Sequence, residues 1–555
     1  MEKWHLAAKV GSPRFKRGLE RRRFEKETMK KTCPVLLSLL LSAAPAAVQA
    51  QSAYNYDDLF FYTTNGGQIT IIQVDDSAVE IGIPAYINGL PVTSIANDAF
   101  AGDTKLTSVS IPGSVTSIPG SAFKGCSGLT SVYIDNGVVS IGANTFSDCT
   151  SLTGVTIPGS VHSIGNGPFS DCTSLGAITV DVQNGFYSSA NGVLFDYIQS
   201  ILIQYPGGLG GRYTIPDSVT IIGDDAFEGC LGLTGVTIPG SVTEIGDYAF
   251  EDDPSLTNVT MGGSVSVIWD GAFQNCYALT SITIPSSVID IWDAAFYGTG
   301  LTSVTIPGSV TNIGPQAFGY CPNLTAITVG ALNAFYSSTN GVLFNKDQTT
   351  LLQYPGGIYG SYTIPGTVTD IGEDAFRGTS LTGITIPNSV TEIGTNAFYE
   401  CGSMTEVTIP NSVTSIGEGA FSISGLTSVT VPGSVTSIGL EVFLGCGSLT
   451  SANIAHGVTS IGEYAFADCA SLANVTIPSS VTSIVECAFN FCTSLTNVTI
   501  PGSVTNIGDF AFQYCTNLTG VYFEGNAPAA GSSVFEYDNN AVVYYLPHTT
   551  GWSSP

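Results

Sequence analysis

The sequence predicts a β-rich solenoid, a right-handed superhelix of roughly 19 stacked coils with short strands and 3-10 or other short helical turns. Three observations lead to this prediction. A unit of about 23 residues repeats along most of the 555-residue chain. β-Branched residues stand in short runs between glycine and proline, which favours strands and turns over long helices. Within each run the apolar residues lie near a period of two, as in a strand that buries one face.

The repeat is measured on the phenylalanine of a recurring Ala-Phe pair. Successive copies lie 23 or 22 residues apart, and two longer steps of 58 residues each contain one normal unit and one variant unit of 35. Because stacked coils repeat their geometry, we expect these rings to lie above one another in one column. The predicted column consists of Phe100, Phe123, Phe146, Phe169, Phe227, Phe250, Phe273, Phe296, Phe318, Phe376, Phe398, Phe421, Phe443, Phe466, Phe489 and Phe512.

One copy, residues 301–321, shows how a coil is built. Its Leu, Val and Ile point inward from a short strand, and Pro307 ends that strand because proline has no N–H for the ladder. Val310 and Ile313 return inward along the opposite wall. A glycine usually follows this second isoleucine, but Val485 holds the same position in another coil. We therefore attribute the glycine to limited space and not to a positive φ.

Eleven of the thirteen cysteines share one position, three residues after the column phenylalanine. Asp103, Asp253, Thr or Ser stand there in other coils, so we expect an inward site that bonds backbone groups. We predict buried free thiols, because parallel side chains do not suit the disulfide dihedral, although neighbouring coils bring two sulfurs near bonding range. Without CxxC pairs, a metal site is not expected. The eleven are Cys126, Cys149, Cys172, Cys230, Cys276, Cys321, Cys401, Cys446, Cys469, Cys492 and Cys515.

The repeat pattern Leu-Thr-x-Val-Thr-Ile-Pro-x-Ser-Val-Thr-x-Ile-Gly-x-x-Ala-Phe-x-x-Cys, found at residues 495–515 with minor changes, resembles the BspA-like leucine-rich repeat family. The resemblance covers roughly residues 85–520. The variant units, about 175–215 and 324–364, resemble an insert common in this family. The resemblance implies a secreted or surface protein of adhesin type that binds matrix proteins or other cells, and it does not specify a ligand.

The amino-terminal segment resembles an export signal. Lys30 and Lys31 precede an apolar run and a small-residue cleavage pattern ending at Ala50, which predicts a secreted or cell-surface protein. The predicted organisation is a non-native extension or extended leader at 1–28, a signal peptide at 29–50, an N-terminal cap or first coil at 51–92, repeats at 93–520 and a C-terminal cap at 521–555.

The charge distribution excludes some partners. The formal net charge is −28, and eleven of the sixteen basic residues lie in residues 1–31. The rest of the chain therefore carries about −35, a field unsuited to nucleic acid or to an anionic membrane surface. No later apolar run approaches ~18 residues, so membrane insertion is not expected. We expect a monomer.

Three features break the repeat and supply candidate ligand contacts. Trp269 and Trp292 should stack on adjacent coils, with simple edge packing as the alternative. The variant units add aromatic side chains that either contact ligand or belong to a structural insert: Phe186, Tyr187, Tyr205, Phe335, Tyr336 and Tyr354. Outward threonines should form an uncharged ladder suited to multivalent binding: Thr156, Thr237, Thr283, Thr305, Thr385, Thr408, Thr476 and Thr499.

No catalytic set is visible. His162 and His456 stand where Thr or Ser is usual, and no cofactor or metal is expected. Acidic residues recur just before Ala-Phe and form either a solvated edge or an edge that attracts Ca²⁺: Asp224, Asp225, Asp247, Asp270, Asp293, Glu373, Asp374, Glu418, Glu463 and Asp509.

The leading hypothesis is therefore a secreted or cell-surface binding protein and not an enzyme. Its repeat surface would adhere to matrix proteins, glycans or other cells, so the expected partner is an extracellular protein or glycan of unknown identity. One alternative is a structural, self-assembling envelope protein without a specific ligand. A third hypothesis is an exported hydrolase that uses the acidic edge.

Overall fold

The computed structural model describes residues 2–5, 54–56, 59–75 and 78–552. The predicted signal peptide and Cys33 lie outside these residues. The described chain forms a β-solenoid of about 21 turns and contains no helix. The predicted solenoid is thus confirmed, and the predicted coil number is approximately right. The predicted 3-10 or short helical turns are wrong for the described residues, which form non-helical turns at these places.

Each coil has three sides. The first side is a strand of mostly three to five residues, and its stack forms the long-strand face. In the coil that holds Thr283, residues 280–284 take this place without forming a strand, so Thr283 is not a strand residue, contrary to the prediction. The second side is a strand of mostly two residues, and its stack forms the short-strand face. The third is the turn side, which carries the Ala-Phe pair. All three sides are joined to the neighbouring coil by backbone hydrogen bonds, so no coil is stabilised by its own contacts alone.

The strands of the long-strand face are Glu80–Gly82, Ser108–Ile111, Ser131–Ile134, Gly154–Ile157, Ala177–Val180, Gly211–Thr214, Leu233–Thr237, Asn258–Thr260, Ser303–Ile306, Ala326–Val329, Gly360–Thr363, Leu381–Thr385, Glu406–Thr408, Ser428–Val431, Ser451–Ile454, Asn474–Thr476, Asn497–Ile500, Gly520–Phe523 and Val542–Tyr545. Those of the short-strand face are Ser117–Ile118, Ser140–Ile141, Ser163–Ile164, Ile201–Gln204, Ile221–Ile222, Glu244–Ile245, Val267–Ile268, Asp290–Ile291, Asn312–Ile313, Thr350–Gln353, Asp370–Ile371, Glu392–Ile393, Ser415–Ile416, Ser437–Ile438, Ser460–Ile461, Ser483–Ile484, Asn506–Ile507 and Ala529–Ala530.

Pairing between coils is parallel and in register. On the long-strand face Val155 lies opposite Ile178, and Thr156 lies opposite Thr179. On the turn side the Phe123 N–H donates to the carbonyl of Thr145 at 2.9 Å. Because the register repeats in each coil, equivalent side chains lie directly above one another, and the inward ones form continuous columns.

The phenylalanines form the central column. Except across the two variant units, neighbouring rings are stacked, with centroids from 4.6 Å apart at Phe100 and Phe123 to 5.6 Å at Phe146 and Phe169. Phe535 adds a ring beyond the predicted set, 5.5 Å from Phe512. Such offset stacks add to the apolar burial that stabilises each coil.

Each variant unit contains a hairpin between its long and short strands. In the first unit, strands Tyr187–Ala190 and Val193–Asp196 pair antiparallel, and the second also pairs antiparallel with Ile201–Gln204. The second unit repeats this arrangement with Tyr336–Thr339, Val342–Asn345 and Thr350–Gln353. In the described chain the hairpins interrupt both strand ladders, because Ile201–Gln204 pairs with the hairpin instead of Ser163–Ile164, and Ala177–Val180 does not pair with Gly211–Thr214.

The buried core is divided at these hairpins into three clusters. Leu194 packs with the cluster that precedes it, whereas Val193 and Phe195 pack with the cluster that follows. In the second unit Leu343 faces back and Phe344 faces forward. Successive side chains of a strand point to opposite faces. The second hairpin strand of each unit therefore lies between two core clusters and contributes side chains to both.

The two ends differ. At the first end, strands Tyr54–Tyr56, Phe60–Asn65, Gln68–Val74, Tyr86–Ile87 and Leu90–Ile95 form a mixed sheet. At the other end, coil register continues through Val542–Tyr545, later than the predicted repeat boundary at 520. Trp552 then packs against Phe523 and Tyr545. The backbone of Glu2–His5 pairs antiparallel with Val542–Tyr545.

The cysteines occupy the predicted inward position. All eleven are buried with free thiols, and Cys126 Sγ donates to the carbonyl of Phe100 at 3.0 Å. Where Asp253 replaces cysteine, its Oδ1 accepts the Cys230 N–H at 2.7 Å. The side chain at this position therefore forms a hydrogen bond with a backbone group of the preceding coil, as the mixture of residue types predicts.

The turn side contains residues with a left-handed backbone. The glycine that recurs after the short strand is not one of them. Each predicted column phenylalanine has a residue of positive φ two positions before it and another two positions after it, as with Asn144 (φ 55°) and Asp148 (φ 61°). Gly142, which follows the inward isoleucine, is not among the positive-φ residues. A Cβ there would lie 2.3 Å from the Gly120 nitrogen, so the glycine is required by space.

Candidate functional site

The two tryptophans are stacked at a coil edge. Trp269 and Trp292 take the place of the space-limited glycine in adjacent coils, and their ring centroids lie 5.1 Å apart with planes 20° from parallel. Trp269 is half-buried, and Trp292 is 36% exposed. The coils on either side have Gly246 and Gly314 at the same position. The tryptophans therefore protrude from an edge that is otherwise bare.

The hairpins of the variant units present one phenylalanine each. Phe186 and Phe335 are 50% and 52% exposed. In the first unit the buried Asn184 accepts the N–H groups of both Phe186 and Tyr187 with its Oδ1. This side-chain cap fixes the backbone that holds the exposed ring.

The tyrosines that follow the exposed phenylalanines have a structural role. The hydroxyl of Tyr187 accepts the Ile164 N–H at 2.8 Å, and that of Tyr336 accepts the Ile313 N–H at 2.9 Å. Each hydroxyl thereby satisfies a short-strand donor that the interrupted ladder leaves unpaired. Both side chains are half-buried, so each ring has an accessible part beside the neighbouring phenylalanine.

Tyr205 and Tyr354 are not surface residues, and their assignment as ligand contacts is corrected. They are 3% and 1% exposed. Tyr205 stacks on Phe227 with centroids 5.0 Å apart, and Tyr354 lies 5.1 Å from Phe376. Each tyrosine fills the column position of the variant coil, which sequence alignment on Ala-Phe leaves empty. Their position in the interior prevents contact with a ligand.

A cleft of about 360 Å³ lies beside the hairpin of the first variant unit. Its lining includes His162, Asn166, Phe186 and Asp224. The His162 and Phe186 rings are 4.3 Å apart and tilted by 32°. The Asn166 amide donates to Asp224 Oδ2 at 2.8 Å. The cleft therefore combines an aromatic pair with a carboxylate and an amide, a mixture suited to recognition.

Acidic side chains on the turn side serve the stacking of coils. Asp224 Oδ1 accepts the Asp247 N–H at 3.0 Å, Asp247 Oδ1 accepts that of Asp270, and Asp270 Oδ1 accepts that of Asp293. The carboxylates thus form a hydrogen-bonded ladder between coils. In the described part of the chain, no group of three or more His, Cys, Asp or Glu side chains has an arrangement that could hold a metal ion.

Burial raises the pKa of several carboxyls near the first variant unit, and neighbouring carboxylates add to the effect. Burial, with nearby Asp225 and Asp171, raises the pKa of Glu228 to about 9. Burial and the neighbouring Asp224 raise the pKa of Asp225 to about 6. Burial likewise raises the pKa of Glu251 to about 7. In each of these carboxyls the charged form is disfavoured first by burial and then by neighbouring negative charge.

Another aromatic row was missed by sequence reasoning. Phe491, Tyr514 and Tyr537 stack on three successive coils, with centroids 4.3 Å apart at both steps. All three have positive φ at the turn position where Gly, Asn or Asp is frequent, a conformation uncommon for bulky residues. The available signal was an aromatic residue two positions after the column phenylalanine in three consecutive units.

Comparison with known families decides the identity of the repeat. The model of the BspA-type leucine-rich repeat region matches residues 92–199, 211–325, 359–473 and 436–550, which together exceed half of the chain. The chain belongs to the BspA-type leucine-rich repeat family. Family membership accounts for the 23-residue unit, and the gaps in the match, at 200–210 and 326–358, fall within the two variant units of this BspA-type protein.

Solved structures of bacterial leucine-rich repeat proteins resemble this BspA-type chain. A leucine-rich repeat protein from Eubacterium ventriosum is 24% identical over 83% of this chain and 94% of its own, with a TM-score of 0.48. A leucine rich cell surface protein from Faecalibacterium prausnitzii is 27% identical over 86% and 97%, with a TM-score of 0.35. The pneumococcal vaccine antigen PcpA is 19% identical over 85% and 94%, with a TM-score of 0.38.

No curated protein sequence matches the chain. Across the residues that the structure describes, no helix has the length and apolar character needed to cross a membrane.

Proposed function

We propose that this protein is a secreted or cell-surface binding protein whose long-strand face holds an extracellular protein or glycan. The observation that carries the proposal is that outward threonines are exposed and their hydroxyls form no hydrogen bond within the described chain. Thr156, Thr237 and Thr305 are exposed. Within the described chain, their hydroxyls have no hydrogen bond to another protein group. These donors and acceptors are therefore available to a ligand.

Other threonines of the same repeat are used differently. Thr130 Oγ1 donates to the Thr107 carbonyl at 2.9 Å, and Thr450 Oγ1 donates to the Thr427 carbonyl at 2.9 Å. These residues precede the long strands and strengthen contact between coils. Threonine thus recurs at the outward strand positions without this stacking role, which favours a surface role there.

The geometry of the face suits a ligand that makes many weak contacts. Thr156 lies opposite Thr179, Thr305 opposite Thr328, and neighbouring parallel strands are about 4.8 Å apart. Each hydroxyl contributes little against competing water. Contacts repeated from coil to coil along this face add through effective concentration, so affinity grows with the number of coils that the ligand covers.

A binding screen tests the proposal. Immobilised full-length protein is exposed to matrix proteins and a glycan array, and each captured probe is measured again with the variant Thr385→Arg/Thr408→Arg on the long-strand face. The matched control is Ser415→Arg/Ser437→Arg, exposed on the short-strand face of nearby coils. We expect the first variant to lower affinity by about tenfold and the control by less than about twofold.

Two results would contradict the proposal. One is a screen in which no matrix protein or glycan is captured. The other is a captured probe whose affinity falls equally in the two arginine variants, because the long-strand face would then have no special part in binding. The tryptophan pair is tested separately with Trp269→Ala/Trp292→Ala, for which we expect a loss only with ligands that reach that edge.

A further inference from the structure

The two variant units share one backbone arrangement and differ in charge. Arg377 follows the column phenylalanine of the coil after the second unit, and Glu228 stands at the equivalent place after the first. Lys346 follows the second hairpin, where the first has Tyr197. The second unit thus has two cationic side chains at positions where the first has none.

The second unit uses its cations internally. The Arg377 guanidinium lies 3.2 Å from Asp374 Oδ1 and 4.6 Å from the centre of the Tyr399 ring. The Lys346 ammonium donates to the carbonyl of Asn333. A cation between a carboxylate and an aromatic face is the arrangement that electrostatics favours at such a site.

The first unit has Glu228 at the place of Arg377, and its own aromatic and acidic groups meet in the cleft beside the hairpin. Its cleft is lined by Phe186, which is half-exposed, and by the carboxylates of Asp196 and Asp224, and no lysine or arginine belongs to the lining. Asp196 bonds the turn through Ser200 and Ile201. Asp224 keeps acceptor capacity, since each of its oxygens accepts one hydrogen bond and a carboxylate oxygen has two lone pairs.

We propose that the cleft of the first variant unit binds a lysine or arginine side chain of a protein ligand. The proposal rests on the binding function proposed above and names the ligand chemistry of one site. The side chain lies against Phe186, and its charged end reaches Asp224. The volume of about 360 Å³ accommodates such a side chain, and the acidic surface attracts a basic segment over a longer range.

The test uses the full-length chain and two synthetic peptides, Ac-GRKRKG-NH2 and its acidic counterpart Ac-GEDEDG-NH2. Binding is measured by calorimetry at pH about 8, where histidine is generally neutral, at low and high salt. We expect binding of the basic peptide alone, weakened by at least about fivefold when salt rises from about 50 to about 500 mM.

Matched variants locate the site. Phe186→Ala and Asp224→Asn should each lower the affinity for the basic peptide by about threefold to tenfold. Phe335→Ala and Glu373→Gln are the equivalent changes in the second unit. They should change the affinity for the basic peptide by less than about twofold. Circular dichroism and melting temperature verify that each variant is folded.

Three outcomes overturn the proposal. The basic peptide does not bind, its affinity falls equally in the first-unit and second-unit variants, or its affinity is unchanged in Phe186→Ala and Asp224→Asn. A glycan whose binding depends on Phe186 and is insensitive to salt would assign the cleft to sugars and also overturn it. None of these outcomes removes the proposed function, because capture on the long-strand face is measured with other variants and other probes.

Discussion

Tyr205 stacks on Phe227 with ring centroids 5.0 Å apart and planes at 26°, so the aromatic column continues into the first variant unit although the Ala-Phe pair is missing there. Tyr205 also lies 4.8 Å from Tyr213, a residue of the following long strand. The insert therefore supplies the ring that covers Phe227 at the start of the second core cluster. Tyr354 occupies the equivalent position at the second unit.

Removal of the Tyr205 ring should destabilise the protein. Tyr205→Ala leaves a large cavity in a packed core, and we expect a loss of about 3–5 kcal/mol in the free energy of unfolding. Tyr205→Phe keeps the ring and should cost less than about 1.5 kcal/mol. Urea denaturation followed by circular dichroism measures both. Equal stabilities of the alanine variant and the wild type would contradict a column position for Tyr205.

The stability of the protein should decrease as the pH rises from about 4 to about 8. Burial raises the pKa of Asp374 to about 6 and that of Asp538 to about 7, so the folded chain holds these protons more tightly than the unfolded chain does. Their favourable contribution is complete below the ordinary carboxyl pKa and is lost as pH passes the folded values. Melting temperatures across this range should therefore fall.

Asp538→Asn tests the origin of this pH dependence. Asp538 is 2% exposed at the inward cysteine position of the last coil, and asparagine replaces its carboxyl with a neutral group of similar shape. We expect a shallower decrease of melting temperature between about pH 5 and about pH 8 than in the wild type. A melting temperature that rises with pH in the wild type, or an unchanged slope in the variant, would be inconsistent with this assignment.

The cysteines should be unreactive in the folded protein. Cys149 and Cys321 are fully buried, and burial raises the pKa of Cys321 to about 11, so little thiolate is present near neutral pH. We expect Ellman's reagent to label them only after unfolding. A reducing agent should leave the melting temperature unchanged. Rapid labelling of the native chain, or a lower melting temperature on reduction, would indicate exposed or bridged sulfurs.

The glycine after the short strand should not tolerate a larger residue in a typical coil. A Cβ on Gly142 would lie 2.3 Å from the Gly120 nitrogen, so Gly142→Ala forces neighbouring coils apart and should cost about 1–3 kcal/mol. Gly240→Ala is the matched control, because a Cβ there meets nothing within 4 Å. Chemical denaturation compares the two. Equal costs would show that spacing between coils is not the constraint.

Much of the fold was accessible from the sequence because the repeat carries its own register. The spacing of Phe100 and Phe123 predicts one ring above another, and the structure places them 4.6 Å apart. The mixture of Cys, Asp, Thr and Ser at one position likewise indicates an inward site that bonds the backbone, as Cys126 and Asp253 do. Periodic spacing is sufficient here because each coil contacts only its neighbours.

The contacts within the variant units depend on tertiary structure. Sequence reasoning grouped Phe186 with Tyr205 because both are aromatic residues of the same insert. In the structure Phe186 is half-exposed and Tyr205 is in the core, because the hairpin places the first at the surface while the following strand returns the second to the column. His162 acquires interest only because folding brings its ring to Phe186.

The sequence by itself determined the repeat, the solenoid and the residue column at its centre, since these follow from one local pattern copied along the chain. Only the tertiary structure decided which atypical side chains are exposed and which carboxylates have a cation beside them. Arg377 and Glu228 occupy equivalent positions in the coils that follow the two variant units. Their effect depends on the groups that neighbouring coils place around them, and a linear pattern does not specify those groups.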